Sequence, residues 1–229
     1  MGKSMLILVV FIVLPFLTTC QTIYGTNGLL SIPSAEMKAD GTFIMGGNLL
    51  PAINQPSWGY NTGNYYFNLT FLPFLEVAYV CTLLKIANSG HFTNQDRAVS
   101  IRLQLFREKR YMPSITFGFH DLYSSVENGN QYFRATYLVL TKHFGVCRAK
   151  LGLTFGFCPN MRKYSPLRGP FGGLSLTPTR FDSISLLAEY DGNGINLGAR
   201  LLLFKHLYLF SMVQHLKFFT GGVAFHVYL

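Results

Sequence analysis

Apolar and polar side chains alternate with a period of two along most of the chain after residue 20. In residues 147–157, leucine and phenylalanine share one face of an extended strand, while Lys150, Thr154 and glycines take the other. Such alternation is typical of β-strands, whose side chains point to opposite faces in turn. It predicts no helix of note and about twelve strands, at residues 42–50, 64–72, 75–83, 97–106, 114–121, 131–142, 147–157, 171–178, 183–191, 196–204, 207–215 and 218–228.

The connections between these strands differ in length. Short links at residues 73–74, 143–146, 205–206 and 216–217 alternate with longer polar ones at 86–96, 122–130 and 158–170. Short turns on one rim and long loops on the other are typical of outer-membrane barrels. A soluble β-sandwich or lipocalin-like barrel is the alternative, but only 13% of the residues are charged, which is few for a soluble surface. Residues 42–229 are therefore predicted to form a transmembrane antiparallel up-and-down β-barrel.

The N-terminus has the layout of an export signal. Lys3 precedes an apolar run at residues 5–17, which is shorter than the roughly 20 residues that span a bilayer. We therefore interpret residues 1–20 as a signal peptide, with a signal anchor or a first buried helix as the alternative. Cys20 is a candidate lipidation site because the residues before it resemble a lipobox; simple cleavage after Cys20 is the other outcome. Residues 21–41 are then a periplasmic or plug segment ahead of the first strand.

Basic residues outnumber acidic ones, with 19 Lys and Arg against 10 Asp and Glu and a formal net charge of +9. Their positions in the alternation place several of them on the lumen side of the predicted barrel. The inward cations are predicted to be Arg102, Arg134, Arg148, Lys150 and Arg200, and the inward anions Glu76, Glu189 and Asp191. Either the lumen contacts an anionic polymer, or Arg–Glu pairs plug a narrow barrel that does not conduct. Nucleic acid is not an expected partner, because the cations form no cluster on a soluble surface.

The facing assignment assumes that the apolar face of each strand meets lipid. In residues 131–142 it turns Phe133, Ala135, Tyr137 and Val139 outward, with Arg134 inward.

Motifs for catalysis or metal binding are absent from the sequence. It holds no C-x-x-C, H-x-x-x-H or H-x-H spacing, so no metal or cofactor is expected. Ser34 lacks a G-x-S-x-G turn and a histidine partner. We expect a non-enzymatic protein, with a barrel-embedded acyl hydrolase as the enzymatic alternative.

Two stretches resemble the YjbH family of outer-membrane proteins. The first runs from residue 26 to 42, and the second from 187 to 199. The residues that carry the resemblance are Gly28, Pro33, Ser34, Ala35, Asp40, Gly41, Glu189, Tyr190, Asp191 and Gly192. The resemblance implies a bacterial outer-membrane barrel, often a lipoprotein, associated with exopolysaccharide or capsule secretion and assembly. Typical members are several times longer, so this chain would be a short form.

The last predicted strand resembles the signal that the barrel assembly machinery reads. Gly222, Phe225 and Val227 carry its glycine and its two apolar positions. The expected partners are therefore outer-membrane lipid, the barrel assembly machinery, an acidic exopolysaccharide and other secretion proteins.

Overall fold

The computed structural model describes residues 20–54, 59–85, 91–121, 133–159, 165 and 167–229. Within these ranges, no helix is long and apolar enough to cross a membrane. The one helical element there is a single 3₁₀ turn at Ala52–Asn54. Residues 1–19 of the predicted signal peptide lie outside the described residues.

The chain folds into strands that pair with their neighbours in sequence. Two short strands, β1 (Cys20–Gln21) and β2 (Asn27–Gly28), pair with each other. The strands of the barrel are β3 (Thr42–Leu50), β4 (Thr62–Thr70), β5 (Leu75–Lys85), β6 (Phe92–Phe106), β7 (Ser114–His120), β8 (Ala135–Val146), β9 (Ala149–Cys158), β10 (Gly169–Pro178), β11 (Ile184–Tyr190), β12 (Ile195–Leu203), β13 (Leu207–Gln214) and β14 (Phe218–Tyr228). Strand β14 pairs antiparallel with β3 and closes the sheet. The predicted all-β architecture, an up-and-down barrel of twelve strands, is confirmed.

The two ends of the barrel differ. The terminal rim, where β3 begins and β14 ends, carries the connections at residues 71–74, 107–113, 147–148, 179–183 and 204–206. The loop rim carries those at 51–61, 86–91, 121–134, 159–168, 191–194 and 215–217. The predicted contrast between short and long connections therefore holds for most of them. The exceptions are 191–194 and 215–217, which are short but lie on the loop rim, and 107–113, which is long but lies on the terminal rim.

The sequence pattern misplaced one short turn along the chain and assigned another, at the correct position, to the wrong rim. Residues 143–146 belong to β8, and the turn itself is Cys147–Arg148. The turn at residues 215–217 lies on the loop rim, with backbone φ angles of 49° at His215 and 56° at Leu216. Tight hairpins need such positive φ values and usually obtain them from Asn or Gly. The turn at Cys147–Arg148 uses other residues, with a φ of 51° at Cys147, so the sequence does not mark it.

The two faces of the barrel wall have different compositions. Large apolar side chains cover much of the outer face, for example Phe67, Leu138, Phe155, Leu186 and Phe225. The inner face mixes asparagine, threonine, serine and a few charged residues with tyrosine and phenylalanine. The described lumen is therefore packed rather than open.

The predicted facing of β8 is wrong. Phe133, Ala135, Tyr137 and Val139 point into the barrel and are buried, whereas Leu138 is 42% exposed on the outer face. Inside the barrel, the Phe133 ring lies 5.6 Å from the ring of Tyr24, between centroids. The apolar periodicity therefore predicts the strand correctly but its facing wrongly. The apolar side chains of β8 pack against residues inside the barrel, such as Tyr24, and not against lipid.

Candidate functional site: the plugged lumen

Residues 21–38, called the plug below, lie inside the barrel. All residues from 21 to 35 are buried, and Ile23, Leu30 and Ile32 have no exposed surface. Their apolar side chains form one core cluster with residues of the wall that include Tyr66 and Phe171. The plug therefore fills the lumen and contacts the inner face of the wall.

The plug is a compact turn structure rather than a helix. Ile23 N–H donates to Leu30 O at 2.9 Å, and Leu29 N–H donates to Ile32 O at 2.9 Å. A side chain at Gly28 would not fit, because its Cβ would lie 2.2 Å from Ile32 O. Gly28 also forms a β-bridge with Pro33, so these two residues of the family-like stretch help to shape the turn.

Glu189 on β11 holds the plug to one side of the wall. Its carboxylate accepts the backbone N–H groups of Leu30 at 3.0 Å and Ser31 at 2.8 Å, and the Ser31 hydroxyl as well. Asn196 on β12 adds a hydrogen bond from its Nδ2 to Glu189 at 2.9 Å. No cation pairs with Glu189 among the described residues, so amide and hydroxyl donors supply the stabilisation of this buried charge.

The remaining residues of the second family-like stretch shape the turn that follows Glu189. Asp191 accepts the backbone N–H groups of Asn193 at 2.8 Å and Gly194 at 2.9 Å. Its Oδ2 also lies 3.0 Å from Nδ2 of Asn196, which places it in the same polar network. Gly192 has a φ of 91°, a left-handed conformation that favours glycine. Tyr190 points outward and is 46% exposed.

Glu76 and Arg102 hold the plug to the opposite side of the wall. The Arg102 Nη1 lies 2.7 Å from Glu76 Oε2, and both side chains are fully buried. Glu76 also accepts Asn27 N–H at 3.0 Å, and Arg102 Nη2 donates to the backbone oxygen of Ser34. The ion pair therefore joins two strands of the wall and binds the plug at two points.

The first family-like stretch ends at the terminal rim. The backbone N–H of Ala35 donates to the Thr141 hydroxyl at 2.9 Å, and its carbonyl accepts from Thr116. Asp40 is exposed and accepts Leu72 N–H at 2.8 Å. Gly41 O accepts Leu229 N–H at 3.0 Å, which ties the start of the barrel to its end.

The predicted basic residues do not form one surface. Arg102, Lys150 and Arg200 lie on the inner face, but only Arg102 forms an ion pair within the described part of the chain. The inward placement of Arg134 and Arg148 is wrong, because both are exposed outside the lumen. Arg148 lies in the turn between β8 and β9, and Arg134 precedes β8, whose faces are the reverse of those predicted.

Four asparagines of the wall were not predicted as site residues. Nδ2 of Asn48 and Nδ2 of Asn64 donate to the carbonyl oxygen of Ile23 at 3.0 Å and 2.7 Å. Asn68 binds Glu76 at 2.9 Å, and Asn196 binds Glu189. Asparagine is depleted in strands, so its recurrence at alternate strand positions was the available signal for a polar contact inside the barrel.

Sequence comparison identifies the family of the chain. The family model described as exopolysaccharide biosynthesis protein YbjH, family YjbH, matches residues 20–196, which include the plug and both of its carboxylate anchors. The chain belongs to the YjbH family. A curated relative, the "Uncharacterized lipoprotein YjbH" of Escherichia coli strain K12, is 27% identical over 210 residues. The match covers 76% of this chain and 28% of the relative, so the chain spans well under half the length of that YjbH lipoprotein.

Proposed function

We propose that this YjbH-family protein is a plugged, non-enzymatic outer-membrane barrel that serves as a scaffold for exopolysaccharide secretion or assembly. The observation that carries the proposal is the buried plug, which two carboxylates, Glu76 and Glu189, bind from opposite sides of the lumen. A barrel filled in this way has no wide pore for a polymer to pass. Its contribution to secretion is then to present its rims and loops to other proteins or to the polymer.

The outer face supports the placement in a membrane. Phe155 is 60% exposed and Leu186 is 53% exposed, on strands whose neighbours also turn large apolar residues outward. Closed barrels satisfy all strand hydrogen bonds internally, which lets them sit in a bilayer with an apolar outer face. The proposed partners at this face are outer-membrane lipids. Phe225 and Val227 lie on β14 with Gly222, in the proposed signal for the barrel assembly machinery.

The position of Cys20 supports a lipid anchor. Gln21, the next residue, pairs with Asn27, and Asn27 N–H binds Glu76 near the terminal-rim end of β5. Cys20 therefore lies towards the rim that carries most of the short turns, which is the periplasmic side in outer-membrane barrels. An acyl chain on Cys20 would anchor the plug to the inner leaflet. The proposal predicts palmitate labelling of the wild type and its loss in Cys20→Ser.

Two measurements test the scaffold itself. The refolded wild type should show no steady conductance in a planar bilayer, and it should fractionate with outer membranes and migrate faster on gels before boiling. A permanently open channel would contradict the plugged scaffold and favour a conduit. Recovery as a soluble periplasmic monomer would contradict the membrane placement.

The link to exopolysaccharide needs a cellular test. Deletion of the gene in the native host should reduce surface exopolysaccharide, and the wild-type gene should restore it. A deletion strain with unchanged polymer would remove this part of the proposal while leaving the barrel and plug untouched.

A further inference from the structure

Four inward side chains form a continuous row across β9, β10, β11 and β12 near the terminal rim. Lys150 is paired with Thr177, and Ser185 is paired with Arg200. The hydroxyls of Thr177 and Ser185 join the two pairs through a hydrogen bond of 2.7 Å. We call Lys150, Thr177, Ser185 and Arg200 the basic row.

Directly paired residues of antiparallel strands point to the same face with their Cβ atoms about 5 Å apart. The row therefore spans three strand spacings, or about 14 Å. Its two long cationic side chains stand at the ends and its two short hydroxyls lie between them.

The charges of the row have no protein counter-ion in the described part of the chain. Arg200 is 6% exposed, and its Nε is buried without a hydrogen-bond partner. Neither it nor Lys150 forms an ion pair among the described residues, and Asp182 in the adjoining turn is exposed and unpaired there too. Burying a guanidinium without a partner is unfavourable, so the arrangement favours an anion at this place.

Of the other inward carboxylates, Asp96, Asp121 and Asp191 lie towards the loop rim, away from the row, and three more are engaged elsewhere. Glu76 binds Arg102 and Asn27, and Glu189 binds the backbone of the plug. Glu36, where the plug approaches the terminal rim, lies 3.3 Å from Nε2 of His143. The basic row is thus distinct from the contacts that hold the plug.

We propose that the basic row binds the carboxylate of an acidic saccharide at the terminal rim. Arg200 and Lys150 would donate to the carboxylate oxygens, and the Thr177 and Ser185 hydroxyls would bind a carboxylate or sugar oxygen. The row lies within a few residues of the strand ends at the terminal rim. Lys150, at one end of the row, is half-buried, whereas the other three members are buried, so it is the member most open to a ligand. This inference deepens the proposed role in exopolysaccharide assembly and rests on it for the saccharide class.

The test is a calorimetric titration of the refolded full-length barrel in detergent with glucuronate, glucose and inorganic phosphate as separate probes. We expect glucuronate to bind, and glucose, which has the same ring without the charge, to show no binding. Arg200→Gln and Lys150→Gln should each weaken glucuronate binding about tenfold or more, since each removes a charged hydrogen-bond donor.

Arg148→Gln is the matched control, because it removes the same charge from the same rim at an exposed turn outside the row. It should leave glucuronate binding unchanged. Folding of every variant is checked by heat-modifiable migration, and Lys150→Gln, on a half-buried side chain, keeps the test valid if Arg200→Gln fails to fold.

Three results would overturn the site: no glucuronate binding, equal weakening in Arg148→Gln, or binding of phosphate with no binding of glucuronate. The last result would indicate a phosphate group, such as that of a lipid headgroup, instead of a sugar acid. Failure here is distinguishable from failure of the proposed function, because conductance, fractionation and polymer output do not depend on the titration.

Discussion

The carboxylate of Glu189 accepts the backbone N–H of Ser31 at 2.8 Å, a hydrogen bond between residues 158 positions apart in the chain. It joins the two stretches by which the sequence resembles the YjbH family. One stretch builds a turn with exposed amide donors, and the other supplies the acceptor on the wall. The resemblance therefore includes residues on both sides of this contact between plug and barrel.

Replacing Glu189 with Gln should loosen the plug. The amide keeps the shape of the side chain but replaces one of its two acceptor oxygens with a donor, which then faces the N–H of Leu30 or Ser31, so the loss is on the order of 1 to 3 kcal/mol. We expect a lower midpoint of thermal unfolding and intermittent conductance in planar bilayers. Tyr190→Phe is the control, because Tyr190 points outward. A Glu189→Gln protein as stable and as closed as the wild type would show that this contact does not hold the plug.

The Glu76–Arg102 ion pair should be strongly coupled. Arg102→Gln leaves a buried carboxylate without its cation, which costs on the order of 3 to 5 kcal/mol. The double variant Glu76→Gln/Arg102→Gln should lose less than the sum of the two single variants, because no charge is then left unpaired. Unfolding in denaturant, measured on all four proteins, gives the coupling. If the losses in unfolding free energy of the two single variants simply add in the double variant, Glu76 and Arg102 do not act as a coupled ion pair.

The reversed facing of β8 can be checked with two neighbouring residues. Val139→Ala removes buried methyl groups from the lumen core and should destabilise the barrel by about 1 to 3 kcal/mol. Leu138→Ala shortens a side chain on the outer face and should have a smaller effect. Equal losses, or a larger loss for Leu138→Ala, would favour the facing that the sequence pattern predicted.

The terminal rim should respond to acid. Burial alone would raise the pKa of Glu108, but hydrogen bonds from His143 and Lys142 outweigh it and hold that pKa below its ordinary value. A lowered folded-state pKa means that the contribution to stability is present above pH 4.5, the ordinary value, and is lost as the pH falls through the folded-state pKa. His143 also faces Glu36 of the plug at 3.3 Å, so the plug contacts this rim cluster.

The corresponding measurement is the midpoint of thermal unfolding between pH 3 and pH 7 in wild type and Glu108→Gln. The difference between the two proteins should be largest near neutral pH and should shrink in acid. Asp182→Asn, at an exposed turn of the same rim, is the control and should keep the wild-type profile. A constant difference across the range would show that Glu108 is not the titrating group.

The strands and their order could be predicted from the sequence because both depend on local properties. Side chains alternate along every strand, and an up-and-down barrel pairs each strand with its neighbour in the chain, so a period of two and the turns between runs are enough. The charged residues of the anchors, Glu76, Arg102 and Glu189, were also recognised as inward, because they sit opposite apolar positions.

Only the tertiary structure decided what those inward residues touch. Glu189 meets Leu30 and Ser31 across most of the chain length, and no local pattern carries such a pairing. The predicted facing of β8 was wrong for the same reason. Hydrophobic periodicity identifies the face of a strand that is removed from water, but that face can pack against either a bilayer or an apolar plug. The sequence alone therefore predicts that Tyr137 and Val139 face lipid. The structure shows that they belong to the same buried core cluster as Tyr24 of the plug. The sequence determines where the strands run, and the occupant of the lumen determines which way their apolar faces turn.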